Sequence, residues 1–96
     1  MEYKKIENLF DEIKNKFEGK TTSIKMFDDY VKKALDTDYS LVEHLNSRII
    51  ELNKEVNYMW IIGMDEKEVT WYLSVLYTLN IKNNVMYICV NRIELI

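Results

Sequence analysis

Apolar residues recur at helical spacing in two stretches of the N-terminal half of the chain. The first stripe consists of Ile6, Leu9, Phe10, Ile13 and Phe17. The second stripe consists of Phe27, Tyr30, Val31, Ala34 and Leu35. Each stripe lies on one side of an ideal helix and therefore predicts an amphipathic helix that packs on a core. Gly19 follows the first stripe at the position where a left-handed residue would end that helix.

Two further segments of the N-terminal half carry local signals. Residues 20–26 alternate polar and apolar side chains, which fits a short strand, although Thr22 or Ser23 equally fits the N-cap of the second helix. Ser40 and Glu43 then form a capping box ahead of a third apolar stripe. That stripe consists of Leu41, Leu45, Ile49 and Leu52. It predicts a third helix that ends near Asn53.

The last 41 residues change to a period of two, which is typical of half-buried strands. The first alternating set is Val56, Tyr58, Trp60, Ile62 and Met64. The second is Val69, Trp71, Leu73, Val75, Tyr77, Leu79 and Ile81. The third is Val85, Tyr87, Cys89, Ile93 and Leu95, with an interruption at Asn91. If Met64 opposes Val69 and Ile81 opposes Val85, all three sets lie on one face of a three-stranded meander.

Residues 66–80 also admit a helical interpretation. Asp65 and Glu68 form a second capping-box pattern, and the residues that follow include apolar side chains at helical spacing. We favour the strand, because such a helix would be apolar on all sides. The predicted fold is therefore α+β, with two to three N-terminal helices packed on a C-terminal antiparallel β-meander, in a single domain over residues 1–96.

Composition excludes several classes of site. Gly19 and Gly63 stand apart, so no glycine-rich phosphate loop is present, and one His and one Cys exclude the usual zinc sets. We expect His44 on the surface and the Cys89 thiol in the core. We expect neither a cofactor nor catalysis. No long apolar run or signal-peptide pattern is visible, so we expect a cytoplasmic protein without a membrane segment.

The second face of the predicted sheet is also apolar, and it is a candidate dimer or partner surface. Its residues are Met59, Ile61, Tyr72, Leu76, Met86, Ile88 and Val90. A sheet with two apolar faces needs two covers, and the helices supply one. The last strand also lacks the Lys or Pro that protects many sheet edges. We therefore expect a homodimer or a complex with a partner, formed through this face or this edge.

Acidic residues form a second candidate surface, suited to a basic protein partner. They are Asp28, Asp29, Asp36, Asp38, Asp65, Glu66 and Glu68. The spacing of Asp36, Asp38 and Ser40 begins like a calcium loop, but Leu41 stands where that loop requires glycine. We expect these side chains to raise the rate and specificity of association with a basic protein.

The order of three helices and a hairpin also fits a small winged-helix DNA-binding regulator, which is the alternative function. The third helix would offer His44, Asn46, Ser47 and Arg48 to bases. The net charge of −3 and the lack of a basic cluster on that helix argue against a nucleic-acid partner.

Three segments resemble one known family. The opening segment, residues 1–11 (MEYKKIENLFD), is similar to the N-terminal helix of small type I-D anti-CRISPR proteins of archaeal rod-shaped viruses. Residues 27–34 (FDDYVKKA) are similar to the second helix of that family. Residues 71–77 and 82–87 are similar to its final pair of strands. The segment between the first two helices is shorter here, and the C-terminus is less basic and less aromatic.

The resemblance implies a specific function. Proteins of this family are dimeric, lack enzymatic activity and block interference by binding the large effector subunit of the host complex. The family has no catalytic motif, so no functional residue is carried over from it. The chain is accordingly expected to be a non-enzymatic viral inhibitor that binds and occludes a host defence complex.

Overall fold

Three helices precede the long strands of a four-stranded antiparallel sheet in the computed structural model, which describes residues 3–64 and 70–96. The helices are α1 (Tyr3–Phe17), α2 (Ile24–Leu35) and α3 (Leu41–Asn46). The strands are β1 (Thr21–Ser23), β2 (Glu55–Met64), β3 (Thr70–Lys82) and β4 (Val85–Leu95). The order across the sheet is β1-β4-β3-β2. The predicted α+β class is confirmed, and residues 70–80 form a strand, as predicted.

The helices pack on one side of the sheet, here called the core face. Its buried strand residues are Trp60, Leu73, Val75, Tyr77, Leu79, Ile88, Val90 and Ile93. They meet Ile6, Ile13 and Phe17 of α1 and Phe27, Val31 and Leu35 of α2. Each large apolar side chain buried in this way stabilises the fold by about 1.5–3 kcal/mol. The two apolar stripes thus lie where the sequence pattern predicts.

Trp60 connects β2 with α2 and with the segment between α2 and α3. Its ring lies edge-on to Phe27, with ring centroids 5.8 Å apart, and to Tyr58, with centroids 4.5 Å apart. Its indole N–H donates a 3.0 Å hydrogen bond to the carbonyl of Tyr39, in the connection between α2 and α3. Because this buried donor is satisfied, a large amphipathic ring is accommodated without a desolvation penalty.

Both interpretations of residues 20–26 hold. Thr21 opposes Cys89 in a short antiparallel pairing of β1 with β4. The hydroxyl of Ser23 accepts a 3.2 Å hydrogen bond from the N–H of Met26 and thereby caps α2. Gly19 has a φ of 76°, which a residue with a Cβ rarely adopts, and its N–H donates to the carbonyl of Val90 at 2.7 Å.

The predicted free edge at the last strand is wrong. β1 and the turn before it pair with β4 as far as Val90, and the N–H of Ile93 donates a 2.9 Å hydrogen bond to the carboxylate of Glu18. Since β4 lies between β1 and β3, the long strand at the edge of the described sheet is β2.

The third helix is also shorter than predicted. It ends at Asn46, and Ile49 is 94% exposed instead of continuing an apolar stripe. The hydroxyl of Ser47 donates a 2.9 Å hydrogen bond to the carbonyl of His44, a local bond that competes with helix propagation. Asn53 then adopts a φ of 61°, and its N–H donates to the carbonyl of Leu79 as the chain enters β2.

The predicted pairing of β2 with β3 is confirmed over the first part of the strand, where Tyr58 opposes Val75 and Trp60 opposes Leu73. The predicted pairing of β3 with β4 is wrong by one residue. Val85 opposes Lys82, not Ile81, because the turn has two residues, both with positive φ. A shift of one residue exchanges the faces of a strand.

This shift corrects three of the residues predicted for the second face. Met86, Ile88 and Val90 lie on the core face, where Ile88 and Val90 are fully buried. A β-bulge at Asn91 then restores Ile93 and Leu95 to the core face, because it adds one residue to β4 between two paired positions. Cys89 is consequently half-buried on the opposite face and not in the core.

Candidate protein-binding surface

The side of the sheet opposite the helices, here called the open face, carries a cluster of apolar side chains. Met59 and Ile61 of β2 are 49% and 37% exposed. Their partners across β3 are Ser74 and Tyr72, and Leu76 lies one pair further along. We call Met59, Ile61, Tyr72 and Leu76 the open-face patch. All four were predicted for the second sheet face, and the structure brings them together there.

Polar side chains border the open-face patch. The side-chain amide of Asn57 donates to the Ser74 hydroxyl at 2.7 Å, between two members of the patch. Arg92 and Glu94 form an ion pair on the neighbouring strand. An apolar centre with a hydrogen-bonded polar border is the usual anatomy of a protein-binding surface.

A second group of polar side chains occupies the other end of the open face. The side-chain amide of Asn91 donates to the carboxylate of Glu55 and to the hydroxyl of Thr78, both at 3.0 Å. The thiol of Cys89 donates to the Asn91 side-chain oxygen at 3.5 Å. These groups bond to one another, so the apolar character of the open face is concentrated at the end that carries the patch.

The predicted acidic surface is corrected at one position. Asp28 is only 2% exposed, and its carboxylate accepts hydrogen bonds from the hydroxyl of Ser40 and the N–H of Leu41, so it is a structural residue. Asp29, Asp36 and Asp38 are exposed. The other three predicted positions, Asp65, Glu66 and Glu68, lie outside the described residues.

His44 is half-buried and not fully on the surface as expected. Its ring packs on Tyr58, with ring centroids 4.8 Å apart. Burial lowers the pKa of the imidazole, and the positive charge of Arg48 lowers it further. His44, Arg48 and Tyr77 line a cavity of about 190 Å³ beneath the chain that follows α3. Burial raises the pKa of the Tyr77 phenol, the neighbouring Tyr58 adds to that rise, and Arg48 opposes it.

A shallow groove of about 550 Å³ lies between α1 and the ends of β3 and β4. Its lining includes Glu7, Asp11, Lys14 and Trp71. The sequence pattern does not indicate this groove, because its walls come from elements about 60 to 80 residues apart in the chain. The charges in its lining are of both signs, so the groove does not select one kind of ligand.

Two further properties, metal ligation and membrane spanning, concern residues 3–64 and 70–96. Among them, no group of three or more His, Cys, Asp or Glu side chains is placed to hold a metal ion. Every helix in the same part of the chain is too short or too polar to cross a bilayer. Compared with models of protein families, with curated proteins and with solved structures, the chain has no significant match.

Proposed function

We propose that this protein is a non-enzymatic inhibitor that binds a host defence protein through the open face of its sheet. The observation that carries the proposal is the open-face patch, in which Met59 and Ile61 are exposed beside Tyr72 and Leu76. Covering apolar surface contributes about 25 cal/mol per Å² removed from water, so a partner with a complementary apolar surface would be held there.

The resemblance to type I-D anti-CRISPR proteins supplies the class of target. The partner would be the large effector subunit of a host interference complex, and inhibition would occur in the host cytoplasm by steric occlusion. The exposed acids Asp29, Asp36 and Asp38 and the net charge of −3 suit a protein whose surface handles nucleic acid and is therefore basic. Charge of this kind mainly raises the association rate.

The test is binding and inhibition of a purified type I-D effector complex. We expect the wild-type protein to bind the complex and block target cleavage, and a Met59→Lys/Ile61→Lys variant to lose both activities. Ile49→Lys is the matched control, because Ile49 is also an exposed isoleucine but lies outside the sheet. Wild-type protein that neither binds nor inhibits the complex overturns the proposed function. Equal binding of the effector complex by all three proteins would show that the open-face patch is not the binding surface.

A homodimer, which the resemblance also implies, is part of the proposal and is tested separately. Sedimentation equilibrium at tens of micromolar protein should show a dimer. If two copies meet at the open-face patch, the Met59→Lys/Ile61→Lys variant should sediment as a monomer and Ile49→Lys should not. A wild-type protein that is strictly monomeric would overturn the homodimer, and the host protein would then be the proposed partner of the open-face patch.

A further inference from the structure

The hydrogen bonds of β3 show which way the backbone of β2 points. The N–H and C=O of Tyr72 exchange two hydrogen bonds of 2.9 Å with Ile96, so the peptide groups of Tyr72 point toward the β4 side of the sheet. Ile61 lies directly opposite Tyr72 on the other side. In an antiparallel ladder such a pair is not hydrogen-bonded, and the N–H and C=O of Ile61 therefore point away from β3, toward the free edge.

The same alternation applies along β2. Met59 opposes Ser74 and Asn57 opposes Leu76, which are the next two positions of β3 with backbone groups directed toward β4. Asn57, Met59 and Ile61 thus present three N–H and three C=O groups at the edge. Within residues 3–64 and 70–96, no hydrogen bond engages these six groups.

This edge lacks the features that usually prevent strand pairing. Residues 56–63 (VNYMWIIG) contain neither a charged residue nor proline. The bulge at Ile62 lies at the far end and leaves the segment before it regular. Since Met59 and Ile61 also supply side chains to the open-face patch, an added strand would continue both the hydrogen-bond ladder and the apolar surface.

On the helix side of β2, two exposed acids are adjacent in the chain to residues that contact Trp60 and Tyr58, while Arg48 lines a cavity with Val56 at the start of the strand. The exposed Asp38 directly precedes Tyr39, whose carbonyl accepts the hydrogen bond from the indole of Trp60. The ring contact of His44 with Tyr58 places the exposed Glu43 beside the same strand. An extended segment docked here would meet apolar side chains on one side and carboxylates on the other.

We propose that the edge of β2 binds an extended segment of the partner protein by strand addition, with apolar residues alternating with Lys or Arg. The apolar side chains would lie beside Met59 and Ile61, and the basic ones would face Asp38 and Glu43. Main-chain hydrogen bonds supply affinity in this mode, and the alternating side chains supply specificity. The inference rests on the proposed function, for which it specifies how the partner is held.

The direct test uses a synthetic peptide of about eight residues in which Val and Lys alternate, capped at both ends. In an NMR titration of the labelled full chain, we expect the amide signals of Asn57, Met59 and Ile61 to shift together and saturably. A peptide of alternating Val and Glu is the matched probe, and it should bind several-fold more weakly. Equal binding of the two peptides overturns the assignment of basic residues.

A pair of substitutions separates the backbone from the side chain. Met59→Pro removes one outward N–H, and proline is tolerated at such positions of edge strands, so the variant should fold. Met59→Thr keeps that N–H and shortens the side chain. We expect Met59→Pro to weaken binding of the Val–Lys peptide by about fivefold or more, which corresponds to the loss of one hydrogen bond. Met59→Thr should weaken binding of this peptide less. The opposite order overturns strand addition.

The remaining outcomes are also decisive. Absence of shifts at millimolar peptide, or shifts confined to other residues, overturns the inference. Shifts of the same amides that depend only on protein concentration mean that a second copy occupies the edge, which overturns a partner segment as its occupant. If the effector complex is bound equally by wild-type protein and Met59→Pro but not by Met59→Lys/Ile61→Lys, the proposed function stands and strand addition falls. If the peptide binds at the edge but the effector complex does not bind, strand addition stands and the proposed function is overturned.

Discussion

The carboxylate of Asp28 accepts a hydrogen bond of 2.6 Å from the hydroxyl of Ser40. It also accepts one of 2.7 Å from the N–H of Leu41, the first residue of α3. The same Ser40 hydroxyl accepts a 3.2 Å bond from Glu43 and completes the cap. A carboxylate at a helix N-terminus is stabilised by the N–H groups there. Asp28 therefore anchors the short α3 on α2 and is not available to a partner.

Asp28→Ala should destabilise the fold by about 2–3 kcal/mol, because it leaves the Ser40 hydroxyl and the Leu41 N–H buried without their acceptor. Urea denaturation followed by circular dichroism measures this difference in the free energy of unfolding. Asp29→Ala is the matched control, since Asp29 is exposed one residue away, and it should change stability by no more than about 0.5 kcal/mol. Similar losses for the two variants would contradict the anchoring role.

The turn between β3 and β4 supports a second prediction. Asn83 and Asn84 have φ of 52° and 62°, as in the two-residue turn that matches the twist of a hairpin. Glycine adopts a positive φ without the steric cost of a Cβ, so Asn84→Gly should stabilise the fold by about 0.5–1 kcal/mol. Asn84→Ala should destabilise it by about 1 kcal/mol. Thermal unfolding should show the two melting temperatures on opposite sides of the wild-type value.

The sequence predicts those parts of the fold that follow from periodicity alone. The stripes ending at Phe17 and Leu35 become α1 and α2 with their apolar sides in the core. The alternating sets become strands, and the pairing of Tyr58 with Val75 follows from parity. In the candidate site, Met59, Ile61, Tyr72 and Leu76 are found on the open face as expected, because their positions depend only on that pairing.

The errors arise where one residue decides the outcome. The hairpin from Lys82 to Val85 closes around two residues and not three, which exchanges the faces of the first half of β4. Two consecutive asparagines are a signal for this turn, because Asn tolerates a positive φ. Likewise Asp28 belongs to a polar pattern on α2, and its burial depends on where the chain after α2 returns, which periodicity does not specify.

His44 supports a prediction about pH. Its pKa lies below the ordinary value of 6.5, through burial first and the charge of Arg48 second. The unfolded chain therefore takes up a proton at higher pH than the folded chain does. The contribution of His44 to the free energy of unfolding should be fully present above about pH 7 and should be lost as the pH falls through the folded pKa. At still lower pH, His44 should cause no further change in stability.

An NMR titration of the His44 ring protons measures the folded pKa directly. Arg48→Gln should raise the midpoint, because it removes a neighbouring positive charge while burial remains. His44→Gln is the control for stability, and its unfolding free energy should depend less on pH as the pH falls below about 7. A wild-type midpoint above 6.5 would contradict the environment described for this residue.

The bulge at Asn91 supports the last prediction. It adds the residue that returns Ile93 and Leu95 to the core face after the shifted turn, and Ile93 is fully buried. Deletion of Asn91 would remove the extra residue and leave Val90 and Ile93 two positions apart, so both would stay on the core face of a regular strand. The variant should fold and lose only about 1 kcal/mol, for the hydrogen bonds to Glu55 and Thr78. Asn91→Ala is the matched control. It keeps the bulge, removes the hydrogen bonds to Glu55 and Thr78, and should cost only about 1 kcal/mol. A deletion variant that is largely unfolded by circular dichroism, beside a folded Asn91→Ala, would contradict the assignment of Asn91 as the extra residue of the bulge.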